Sequence, residues 1–113
     1  MSNEYVIDSI ASAKNSLDNL EQLGETAFDM CDGSLMNIKA FIHDESIKLK
    51  IIEKEKTVNQ EFTRRMNKTN DELKAKGPLY AWRDGMKKYY KLRHWQSLEM
   101  LNFYDKLCRE HDL

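Results

Sequence analysis

The chain has 113 residues, a formal net charge of −1 and a pI near 6.3. That length predicts one domain, and the balance of charge excludes the strongly basic composition of a dedicated nucleic-acid domain. One third of the residues are charged, 41% are hydrophobic, and there are one proline and four glycines; without alternating β-branched runs, this composition predicts an all-α protein.

No apolar run approaches the ~20 residues that span a bilayer. Met1-Ser2-Asn3-Glu4 lacks the basic start of a secretory leader. The expectation is a cytoplasmic chain with no membrane contact, whose two cysteines, Cys31 and Cys108, are buried thiols.

A first helix is expected over 4–23. Ser2 or Asn3 can cap it, and Glu4 and Asp8 lie in its early turns, where negative charge is favoured. Val6, Ile10, Ala13, Leu17 and Leu20 alternate spacings of four and three, which makes an apolar seam that Ile7 and Leu23 widen. Gly24 is a natural stop.

A long central helix is expected over 26–76. Phe28, Leu35, Ile42 and Leu49 form one seven-residue series, and Cys31, Ile38, Glu45 and Ile52 form the other. The repeat runs through Asp32-Gly33-Ser34, which favours continuity; the rival is a break at 32–34 with Ser34 as a fresh cap. Asp44–Lys48, Glu61–Arg65 and Glu72–Lys76 place acid four residues before base, worth about 0.2–0.5 kcal/mol per pair on a helix. Lys74, Lys76, Gly77 and Pro78 end it. From Leu35 to Lys76 such a helix spans about 63 Å, against a radius of gyration of about 13 Å for a compact domain of this size. It would overhang any core, supporting a dimer or a hairpin whose tip projects.

A third helix is expected over 79–109. At about 100° per residue, Trp82, Met86, Tyr89, Met100, Phe103, Tyr104 and Leu107 share one side. That side is the expected core face, where Trp82→Ala would cost roughly 3–5 kcal/mol. A second face carries Trp95, Leu98 and Leu101, which with Tyr90 make the candidate contact with a partner protein or second subunit, because interface hot spots are rich in aromatics. Tyr80, Arg83, Lys87, Lys88, Lys91 and His94 form the alternative site, where cations meet phosphates and tyrosine stacks on bases.

The predicted fold is thus an elongated helical hairpin or coiled-coil-like bundle of two to three helices. Charge is uneven along it: −6 over residues 1–33, +3 over 34–76 and +2 over 77–113. No Gly-rich phosphate loop, Gly-x-Ser-x-Gly elbow or His-Glu-x-x-His occurs, and the two cysteines and three histidines lack paired metal-ligand spacing. No catalytic residue, metal or cofactor is therefore expected. The expected function is non-enzymatic: a small adaptor, inhibitor or assembly factor that works through protein–protein contacts as a homodimer. Nucleic-acid binding is the alternative.

Overall fold

A computed structural model describes residues 4–111, apart from the side chain of Tyr80. The caps proposed at Ser2 and Asn3 lie outside the described residues. Among the described residues five helices follow in order: α1 (Glu4–Asp18), α2 (Leu20–Leu23), α3 (Thr26–Phe41), α4 (Glu45–Lys76) and α5 (Pro78–Glu110). Among the described residues there is no strand, and no helix is long and apolar enough to cross a membrane.

α4 and α5 pair as an antiparallel hairpin. Their register is marked by Lys54–Glu99, Asn59–Gln96 and Glu72–Lys88. Gly77 alone joins them. Its φ of 103° is open to glycine and strained for other residues. Pro78 then starts α5, where its missing N–H and fixed φ do no harm.

α1 and α3 form a second layer across one half of this hairpin. The core lies between the layers. Val6, Ile10, Ala13 and Leu17 of α1 meet Phe28, Cys31, Leu35 and Ile38 of α3, with Ile47 and Ile51 of α4 and Leu101, Tyr104, Leu107 and Cys108 of α5. The principal extents are 54 × 30 × 17 Å and the radius of gyration is 16.1 Å, so the molecule is longer than a compact domain of its size.

The structure corrects the expected helix boundaries at two places. The first helix bends at Asn19, whose side-chain amide donates back to the Asn15 carbonyl at 2.7 Å. The helix expected over 26–76 is two helices, and the break falls at 42–44 rather than 32–34. Ile42 and Asp44 are extended (ψ 125° and 118°). The Asp44 carboxylate accepts from the Ser46 and Ile47 amides at 2.9 and 3.4 Å and from the Ser46 hydroxyl at 2.6 Å. These bonds cap α4 and stand in for helical continuation. Gly33 passes through α3 without a break.

The break also resets the helical phase. Ile42 is the last residue of the expected series to be buried. Burial resumes at Ile47, Ile51, Val58 and Leu73, while Leu49 and Ile52 face outward. Lys48, expected to pair with Asp44, reaches Glu45 instead at 3.7 Å.

The core face expected on α5 is buried only along part of its length. Tyr104 and Leu107 are buried, and Met100 and Phe103 pack against the core. Trp82 is 81% exposed and Met86 is exposed with it. The α1–α3 layer ends where Phe28 meets Tyr90, with ring centroids 5.8 Å apart. Before Tyr90, α5 has only α4 beside it.

Candidate functional site

The turn at 42–44 sends α4 away from α3, and α5 runs beneath the gap. A groove of about 670 Å³ results. Leu35, Met36 and Ala40 line one wall, Ile52 the other, and Met100 and Tyr104 the floor. Met36 is 68% exposed and Ile52 51%, and both stand at the rim.

Polar groups border the groove at two places. Lys39 Nζ of α3 donates to Glu55 Oε1 of α4 at 2.9 Å, linking the two walls at the edge. At one end Arg93, with its side chain 15% exposed, donates to Asp32 Oδ2 at 2.9 Å and to Gln96 Oε1 at 2.7 Å. The Gln96 amide donates in turn to Asn59 Oδ1 at 2.9 Å, and the guanidinium lies 4.9 Å from the Phe28 ring centre. Each group is satisfied within the chain, and among the described residues no buried side-chain N or O lacks a partner.

This polar end sits against Cys31. Burial, reinforced by the neighbouring Asp32 carboxylate and opposed by Arg93, pushes its thiol up to about 12. Burial and then Asp105 push the Cys108 thiol up to about 11. Both cysteines are free and buried, and at neutral pH such thiols are protonated and poor nucleophiles. Among the described residues no group of three or more His, Cys, Asp or Glu is placed to hold a metal ion.

The four residues expected to form one contact surface do not share one. Leu101 is 2% exposed and belongs to the core; α1 covers that side of α5, so Leu101 has no free surface to offer a partner. Tyr90 packs against Phe28 and the core. Trp95 lies under the Arg65 guanidinium, 4.2 Å from its ring centre. Leu98 keeps a partly open side beside His94, Leu17 and Asp18.

The basic line divides in the same way. Arg83, Lys87 and Lys91 are exposed, Lys88 pairs with Glu72 at 3.7 Å, and His94 is half-buried beside α1. The Tyr80 side chain lies outside the described residues. A long helix through 42–44, as the sequence pattern predicts, leaves no room for this groove. Asp44 followed by Ser46 is the sequence signal that marks it. No protein-family model, no curated protein and no solved structure matches the chain.

Proposed function

We propose that this is a non-enzymatic helical binding protein, an adaptor, inhibitor or assembly factor, whose groove between α3 and α4 seats one amphipathic helix of a partner protein. The observation that carries this is the groove: an apolar cleft flanked by two helices, with Met36 and Ile52 exposed at its rim and satisfied polar groups at its edges. A docked helix would bury its apolar stripe on Met36, Ile52 and Met100 and meet Lys39 and Glu55 at the edge. The reading includes self-association, through a surface other than the groove.

The test uses the full chain with ¹³C-labelled methionine methyls and amphipathic helical peptides selected against it from a display library. Met36 and Met100 line the groove, and Met86 lies far along α5. Binders are expected to shift the Met36 and Met100 methyls, leave Met86 unmoved, and weaken by roughly tenfold or more on Ile52→Asp, the loss of a central apolar contact. Peptides that bind without moving Met36 or Met100, and are indifferent to Ile52→Asp, would remove the proposal.

The second reading is nucleic-acid binding, favoured by the exposed Arg83, Lys87 and Lys91 beside the exposed Trp82. It requires affinity that falls steeply with salt and is lost in Lys87→Glu with Lys91→Glu.

A further inference from the structure

The α4–α5 hairpin beyond Tyr90 is an arm with an uncovered apolar stripe. Leu79, Trp82 and Met86 are spaced three and four apart on α5 and are all exposed, Leu79 to 85%. At about 100° per residue they lie on the same side of the helix as Ser97, Leu101 and Tyr104. In the body that side is covered by α1 and α3, so the stripe continues a buried face past the end of its cover.

Charge identifies an occupant. The covering layer, residues 4–41, carries seven carboxylates and two lysines, a net −5. Both lysines are engaged by the hairpin, Lys14 by Asp105 and Lys39 by Glu55. Of the carboxylates only Asp32 is paired; Glu4, Asp8, Asp18, Glu21, Glu25 and Asp29 are exposed and in no ion pair among the described residues. The arm, residues 66–89, carries six bases and three acids, a net +3. Lys68, Lys74, Lys76, Arg83 and Lys87 are in no ion pair among the described residues. Asp71 and Asp84 of the arm are likewise in no ion pair among the described residues, so its unpaired charge nets +3 against −6 for the layer, and the two are opposite in sign.

Shape agrees. The layer covers one half of the hairpin and leaves a step over the other. The arm segment of α5 is about 18 Å long and α3 about 24 Å. Two layers end to end measure about 48 Å, within the 54 Å length of one molecule.

We propose that a second copy of this chain fills the step: two molecules pair about a two-fold axis, each laying its Leu79–Trp82–Met86 stripe on the acidic outer face of the other's α1–α3 layer. This rests on the self-association part of the reading above and is independent of the groove. With helices about 10 Å apart, each arm presents a face of about 360 Å². The two reciprocal contacts then bury on the order of 1,400 Å² in total, within the range of stable specific dimers. A symmetric closure of this kind leaves no free end to extend into a filament.

Light scattering on the full chain over a range of concentrations tests it. The expected mass is near twice 13.4 kDa and the dimer weakens as salt rises, because opposite exposed charges are screened. Concentration is expected to shift the Met86 methyl and leave Met100, in the groove, still, which separates this contact from the groove. The double variant R83E/K87E should be monomeric at concentrations where the parent is dimeric, and adding E25K and D29K should restore the dimer. W82S should weaken it by roughly tenfold or more. A parent chain monomeric at high micromolar concentration overturns the proposal, and one that instead binds a polyanion with steep salt dependence favours nucleic acid. A dimer untouched by R83E/K87E and W82S overturns it too, and failure of the charge swap to rescue removes the acidic layer as the occupant.

Discussion

Leu101 and Tyr104 in the body, and Leu79 and Trp82 in the arm, lie on one side of the same helix. The first two are each 2% exposed, and the second two are 85% and 81% exposed. Residue type does not separate them, since both pairs are one leucine and one large aromatic. The length of the cover does. α5 runs 33 residues and α3 only 16, so about half of the apolar side has α1 and α3 against it and the rest has nothing from its own chain. Periodicity along a helix says which residues would be buried together, and a second element decides whether they are.

The largest expected difference between the regions is energetic. Phe28 is 1% exposed in the core, so Phe28→Ala should cost about 3–5 kcal/mol. Trp82→Ala, measured at low concentration where any dimer has dissociated, should stay within about 0.5 kcal/mol of the parent. Urea denaturation of both variants checks this, and similar losses would erase the distinction between body and arm.

Two glycines sharpen the contrast further. Gly77 at the arm's tip has φ 103°, so Gly77→Ala should destabilise by roughly 1–3 kcal/mol through backbone strain. Gly33 lies inside α3 in the body, and nothing stands within 4 Å of where its Cβ would be. Gly33→Ala should therefore stabilise by about 0.5–1 kcal/mol. Thermal melts of the two variants should move in opposite directions.

The remaining expected effects appear with pH. In the fold the Cys31 thiol is raised from 9.0 to about 12 and the Cys108 thiol to about 11. The unfolded chain ionises first, so their contribution is fully present below pH 9 and is lost as pH rises towards 12. The loss should belong to the body, because the arm holds neither thiol, and Cys31→Ala should shrink it. Glu61, at the root of the arm, is held at about 2 instead of 4.5 by hydrogen bonds from Arg64 and Arg65. Its contribution is present above pH 4.5 and is lost as pH falls through 2. Glu61 is half-buried and its pairing partners Arg64 and Arg65 face solvent, so Glu61→Gln should flatten the acid limb only slightly. Urea midpoints followed across pH measure both limbs.

The all-α character and the hairpin stop at Gly77-Pro78 were legible in the sequence. So was the seam of Val6, Ile10, Ala13 and Leu17, because each rests on local spacing or local capping. Phe28 to Ile42 were placed on one buried face correctly across Gly33, since a seven-residue repeat outweighs one weak helix former. The reading failed at Asp44. There a side chain that can either pair with Lys48 along a helix or cap a new one takes the second role, and no propensity separates the two. That one choice displaced Leu49 and Ile52 from the core and hid the groove. Leu101 and Trp82 were assigned the wrong environments for a different reason: where α1 and α3 end along α5 depends on long-range packing.

The core joins residues from the two extremes of the described chain. Val6 and Ile10 pack in one cluster with Leu107 and Cys108, and Lys14 reaches Asp105 at 3.6 Å. During synthesis the hairpin tip can form from neighbours in sequence, closed by a single residue, while α1 still lacks its floor. The body completes only when the last turns of α5 have been made, so the part of the molecule built first is among the last to be secured. A chain interrupted just before Leu101 would still carry the whole arm, with its exposed stripe, and no assembled body beside it.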